Sequence, residues 1–135
     1  MKPPFMLDTN VVSAFMHGRS RALDRRISAY GKDDLCVSVV SYGETRYGLA
    51  LRPGAKHLAA AAELLFGLVK ISPWTPEAAC RYGEMRAELR RRGRTMQPLD
   101  MLIAAHALEA GATLVTSDRA FRFVPGLAVE NWLDD

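Results

Sequence analysis

No C-x-x-C pair occurs in this chain, and its two cysteines, Cys36 and Cys80, stand far apart in sequence. That argues against a zinc ribbon, a redox dithiol and a disulfide-stapled secreted scaffold. Histidine is equally sparse. His17, His57 and His106 fall in three different segments, so no imidazole cluster competes as a metal ligand. Although 49% of the residues are hydrophobic, no run reaches the ~18 apolar residues that a membrane span needs. MKPPFMLD carries no long apolar leader, and the expected compartment is the cytoplasm, with no membrane partner. Repeats, low-complexity tracts and linker-like stretches are absent as well. The 135 residues are expected to form one domain, 1–135, large enough for a core of its own.

What the chain does have is a mild excess of positive charge, 18 Lys and Arg against 15 Asp and Glu. With four of the acids withdrawn into a site, the 18 bases face 11 acids, a surface surplus of seven. A basic exterior around an acidic pocket suits a polyanion that approaches by its phosphates.

Apolar runs and helical patterns alternate along the sequence. FML, LCVSVV, VKIS, TLVTS and LAVENW read as strands, the first of them after an extended lead-in, KPP. Between them, NVVSAFMHG stops at Gly18, and SRALDRRISAYG begins with a capping Ser20. SYGETRYGLAL and AKHLAAAAELLFGL are helices separated by Pro53-Gly54. Thr75-Pro76 opens a helix that runs into LRRRGR, and Pro98 opens another that Gly111 closes. This alternation predicts an α/β fold, a central parallel sheet of four to five strands with helices on both faces.

Four acidic segments organise the chain: LDTN around Asp8, SYGE ending in Glu44, PLDMLIAAHA around Asp100 and LVTSD ending in Asp118. Each acid has an ordinary local use. Asp8 suits the N-cap of the helix beginning near Asn10, and Asp118 suits a cap for the turn at RAF. Ser41 and Glu44 have the S-x-x-E spacing of a capping box. Asp100 lies in a first turn, where negative charge complements the helix dipole. Capping gives no reason for the four to meet, yet a parallel sheet brings strand carboxyl ends and helix amino ends to one edge, where ligands bind. Carboxylates ~4 Å apart repel by about 4 kcal/mol at an effective dielectric near 20, so such a cluster calls for a cation or bound protons. Oxygen donors select Mg²⁺, or Mn²⁺ in its place, over zinc. Thr9, Asn10, Thr116 and Ser117 flank the acids with groups able to orient them.

At these residues the sequence resembles the PIN-domain ribonucleases, and within them the VapC-type toxins of bacterial toxin–antitoxin pairs. MLDTNVVSAF is similar to the family's opening strand and first acid. VSVVSYGETRYGLAL is similar to its second acidic motif, and GRTMQPLDMLIAAHALEAGATLVTSDRAFRFVPGLAVENW to its third and fourth. Thr116-Ser117-Asp118-Arg119-Ala120-Phe121 departs from the T-N-N-x-R-E-F of many relatives but keeps T-x-D-x-x-F. The resemblance implies an α/β/α sandwich and Mg²⁺-dependent endonucleolytic cleavage of RNA; in-line attack by a metal-activated water is expected to leave 5′-phosphate and 3′-hydroxyl ends. It further implies a homodimer, and neutralisation by a VapB-type antitoxin in a higher assembly. It places metal binding and catalysis on Asp8, Glu44, Asp100 and Asp118. The G-R-x-x-x-P-x-D spacing before Asp100 is similar to that of toxins that cut transfer RNA in the anticodon region.

Competing readings remain. A haloacid-dehalogenase-like phosphohydrolase needs an acid where Asn10 stands, and a receiver domain needs a strand-end Asp that Leu35–Val40 does not offer. A non-catalytic RNA- or protein-binding domain of the same fold is the alternative, against which the retention of all four acids counts. Arg86, Arg90, Arg91, Arg92 and Arg94 suit RNA, an acidic antitoxin segment or simply a solvated helix end. Phe15, Met16, Tyr42, Tyr47, Leu51, Leu65 and Phe66 are shared between core and a groove for an antitoxin helix. Trp74, Trp132 and His106 are expected to pack on the core, and no base-stacking aromatic stands out.

Overall fold

A computed structural model of the protein describes residues 4–134; Lys2 and Pro3 of the anticipated lead-in lie outside that range. In chain order the elements are β1 (Phe5–Leu7), α1 (Thr9–Met16), α2 (Arg21–Ser28), β2 (Leu35–Ser38), α3 (Val39–Ala50) and α4 (Lys56–Leu68). They continue with β3 (Lys70–Ser72), α5 (Pro76–Arg91), α6 (Pro98–Ala110), β4 (Thr113–Val115), a 3-10 turn (Arg119–Phe123) and β5 (Val129–Glu130). All strand pairings are parallel, in the order β3-β2-β1-β4-β5. No helix among the described residues is long and apolar enough to cross a membrane.

Strand alternation sorts the core into two layers. Phe5 and Leu7 of β1, Leu35 and Val37 of β2 and Val115 of β4 face α1, α2 and α4, meeting Val11, Leu23, Ile27 and Leu65. Met6, Cys36 and Leu114 point the other way, toward Met85, Leu89, Ile103 and Phe121. Both faces of the three central strands are therefore dry, which is why they read as unbroken apolar runs. Trp132 closes the first layer, with its ring centroid 5.0 Å from Phe5 and 5.6 Å from Tyr30.

The helix signals act where the sequence puts them. Ser20 accepts from the Leu23 amide, and Thr75 accepts from the Ala78 amide just ahead of Pro76. Gly111 ends α6 in the left-handed region at φ 64, a conformation that costs other L-residues strain. One expectation fails. Val39 and Val40 belong to α3, not to the strand, because Ser38 turns the chain and its hydroxyl accepts from the Val40 amide. Ser41 is consequently a buried helical residue and Glu44 lies in the second turn, so the Ser41–Glu44 capping box does not form. A side-chain cap at Ser38 outweighs the β preference of two valines.

From β1 the chain steps outward to β2 and β3, and then returns to the opposite side of β1 for β4 and β5. The reversal makes the carboxyl ends of β1 and β4 the switch point, where a crevice opens between diverging connections.

Candidate active site

Asp8 directly follows β1 and caps α1. One carboxylate oxygen accepts from the Thr9 amide at 2.8 Å and the other from the Thr116 hydroxyl at 2.8 Å. Across the switch point, Thr116 follows β4, and its oxygen also accepts from the Asp118 amide at 3.0 Å. Asp118 in turn caps the 3-10 turn by accepting from the Ala120 amide at 2.9 Å. Glu44 arrives from α3 and accepts from the Thr9 hydroxyl at 2.6 Å, while the Ser41 hydroxyl stands 3.0 Å from the same Thr9 oxygen. Asp100 comes from the first turn of α6.

The four sequence-predicted acids lie on one edge of the sheet: Asp8 feels the charges of Asp100 and Glu44, and Asp100 those of Asp118 and Glu44. Asp8 is 3% exposed, and its carboxyl titrates near 6, up from 3.8. Burial is the main cause; the Thr116 and Thr9 hydrogen bonds hold it down, and the charges of Asp100 and Glu44 push it further up. Asp100 is also raised, first by burial and then by Asp118 and Glu44. No salt bridge reaches any of the four among the described residues. Their repulsion is therefore left to protons or a cation.

Among the described residues no three of these side chains stand as a ready-made cage for an ion. The donor set nonetheless fits a hard divalent cation, being all oxygen with no sulfur and no imidazole. A further donor is available. The Asn10 amide nitrogen donates to Thr116 at 3.4 Å, which leaves its buried carbonyl oxygen without a partner. An orphaned buried acceptor beside clustered carboxylates has the chemistry a cation satisfies.

His106 takes no part in the cup. It is buried in α6, with Nδ1 2.8 Å from the Ser38 hydroxyl and Trp74 edge-on at 5.4 Å. Burial lowers its pKa. His106 is therefore neutral at pH 7, with Nδ1 against the Ser38 hydroxyl. It packs in the core, as expected.

The apolar segment divides as well. Met16 and Leu65 are buried, and Phe15 and Phe66 pack against the same layer. Tyr42 rests on Phe66 at 4.8 Å. Tyr47 and Leu51 remain exposed. Leu51 helps line an open groove of about 290 Å³ that runs back to Thr9 and Glu44. One feature had no sequence signal at all: Arg94 lies over the exposed Phe123 ring, 3.7 Å from its centroid.

Known proteins share this fold. The PIN domain family matches residues 5–127. The chain is 32% identical to a tRNA(fMet)-specific endonuclease VapC of Shigella flexneri, over 95% of this chain and 97% of that protein. It is 33% identical to a Ribonuclease VapC2 of Haemophilus influenzae, over 96% and 98%. Among solved structures it is similar to DNA-bound VapBC from Salmonella typhimurium, with a TM-score of 0.89 and 29% identity over 97% and 99% of the two chains. It is also similar to VapBC2 from Rickettsia felis bound to a promoter DNA fragment, with a TM-score of 0.88 and 26% identity over 95% and 98%.

Proposed function

The chain belongs to the PIN domain family, among its VapC-type ribonucleases, and on that premise we propose that residues 1–135 act as one Mg²⁺-dependent endoribonuclease domain. Mn²⁺ is the natural substitute ion. The observation that carries the reading is the gathering of Asp8, Glu44, Asp100 and Asp118 at the switch point, each from a different part of the chain and none paired with a base among the described residues.

Each residue has a distinct task. Asp8 is held by two hydrogen bonds in one orientation, as a principal ligand must be. Asp100 makes no side-chain hydrogen bond among the described residues, so both its oxygens are free for the ion. Thr9 fixes Glu44 and Thr116 fixes the Asp118 backbone, which brings the remaining two carboxylates to the rim. A divalent ion bound there supplies what no side chain of the cup offers, a positive charge on a non-bridging phosphate oxygen and a lowered pKa for the attacking water. Cleavage then leaves 5′-phosphate and 3′-hydroxyl ends.

Transfer RNA cut in the anticodon region is the proposed substrate, on the strength of the tRNA(fMet)-specific relative. The similar VapBC complexes support a VapB-type antitoxin as partner in the cytoplasm, bound to a toxin homodimer. The groove from Leu51 to Glu44 suits its inserted segment, since a chain lying there covers the cup.

The test is cleavage of total transfer RNA with Mg²⁺ and with EDTA, followed by mapping of 5′ ends. Wild type is expected to cut only with metal, and Asp8→Asn and Asp100→Asn to be folded and inactive. Full activity in either variant, with contaminating nuclease excluded, overturns the assignment.

A further inference from the structure

The basic run at the end of α5 is not uniform. Arg91 and Arg92 both bond to Glu88, at 3.3 and 3.0 Å. Arg86 donates to the Tyr82 hydroxyl at 2.6 Å. Arg90 and Arg94 form no ion pair among the described residues. Gly93, at φ 68, reverses the chain, and the Arg94 amide bonds back to the Leu89 carbonyl at 2.9 Å. That turn sends the Arg94 guanidinium onto Phe123, in the 3-10 turn that Asp118 caps. Arg94 is itself exposed, so the guanidinium plane has one face on the ring and one open.

Arg86, Arg90 and Arg94 rim an open pocket of about 370 Å³, and Leu89, Met96 and Met101 form its floor. None of the four acids lines it, but Met101 belongs to the helix that carries Asp100, and Arg94 rests on the 3-10 turn that Asp118 caps, so the pocket borders two of the elements that supply the acids. Cations without counter-charges at the rim and apolar atoms below are a chemistry for something both flat and anionic.

We infer that this pocket is a subsite for a nucleotide of the RNA strand next to the scissile bond, an inference that rests on the ribonuclease reading. Arg90 takes the flanking phosphate. Arg94, backed by Phe123, presents its open face to the base, as guanidinium planes do in single-strand recognition. An acidic peptide fits less well, because its carboxylates would engage the guanidinium edges and leave the apolar floor uncovered. Every base has a π face, so the subsite tolerates sequence and adds affinity for single-stranded RNA.

Binding of fluorescein-labelled octauridylate to the full chain in EDTA isolates the subsite from turnover. Arg90→Ala/Arg94→Ala should weaken binding by about tenfold or more, with a log K versus log salt slope shallower by about 0.7 for each phosphate that is no longer neutralised. Phe123→Leu should weaken binding by about threefold without altering the slope, since it removes the stacking support and no charge. Arg91→Ala/Arg92→Ala, whose cations are already committed to Glu88, should change binding less than about threefold. In cleavage with Mg²⁺, the Arg90/Arg94 variant should show a raised KM at nearly unchanged kcat. Unchanged binding and KM in that variant overturn the subsite and leave the nuclease standing. So does a loss confined to an acidic antitoxin peptide. Arginine-dependent binding with no Mg²⁺-dependent cleavage leaves the subsite standing and removes the nuclease.

Discussion

The Asp8→Asn substitution tests the electrostatics of the cup separately from its chemistry. A buried carboxyl that titrates near 6 instead of 3.8 binds its proton about 3 kcal/mol more tightly in the folded chain than in the unfolded one. The sign follows from the raised value. The stability this proton provides is fully present below pH 3.8 and is lost as pH rises through about 6. Above that, the folded state carries an ionised, buried, repelled Asp8. Asparagine has the shape of the protonated acid and still caps α1, but it loses the acceptor for the Thr116 hydroxyl, worth about 1 kcal/mol. In EDTA at pH 7.5 the variant should therefore gain about 2 kcal/mol, or roughly 6–8 °C in Tm for a domain of this size. At pH 4 the carboxylate penalty shrinks to about 0.5 kcal/mol and the order reverses, with wild type slightly ahead. The neutral, buried His106 works the other way, its stability being lost as pH falls below 6.5. It acts on both chains alike and cancels in the difference. Saturating Mg²⁺ should restore wild type by about 2.7 kcal/mol at a hundredfold excess over Kd, and should barely move the variant. Thermal denaturation across pH 4–8, with and without metal, reads all of this. An asparagine variant that is less stable at pH 7.5 in EDTA, or a difference that ignores pH, refutes the account.

Thr116→Val removes the hydroxyl that donates to Asp8 and accepts from the Asp118 and Asn10 nitrogens. It should cost about 1–2 kcal/mol and move the Asp8 titration above its present value, as carboxyl NMR would show. Ser38→Ala should cost about 2–3 kcal/mol in urea denaturation, since it removes the α3 cap and strands the His106 Nδ1. Ser41→Ala caps nothing and should cost about 1 kcal/mol or less; equal losses would restore the capping box. Trp132→Ala, 1% exposed and wedged on Phe5 and Tyr30, should cost about 3–5 kcal/mol.

Strand runs and caps are legible in the sequence because each depends on neighbours along the chain. FML, LCVS and TLV are buried on both faces and look it, and Ser20, Thr75-Pro76 and Gly111 act within a single turn. The boundary at Val39 is not legible, because β-branching is a weak preference and the deciding atom is the Ser38 hydroxyl. The acids are legible as a set, since parallel topology alone predicts where strand ends and helix starts gather. Their orientation is not. Thr9 reaching Glu44, or Thr116 tying Asp8 to the Asp118 backbone, requires the register of β1 against β4 and the placement of α3 over both. Arg94 on Phe123 is hidden for the same reason, because the packing of α5 on α6 carries the arginine to the 3-10 turn.

The local and collective uses of the acids are not rivals. Asp8 caps α1, Asp118 caps the 3-10 turn and Asp100 sits in the first turn of α6. Three of the four carboxylates therefore lie where a helical end offers partial positive charge, worth about 0.3–1 kcal/mol each. That helps the chain fold with them near one another, yet Asp8 and Asp100 are still pushed up, first by burial and then by the neighbouring acids. Glu44 has not even this support, being a turn further along α3 and held only through Thr9. A site assembled from ordinary capping positions thus emerges short of positive charge, an imbalance that a divalent cation would remove. Arg90 and Arg94, which form no ion pair among the described residues, line a separate pocket and do not supply that charge.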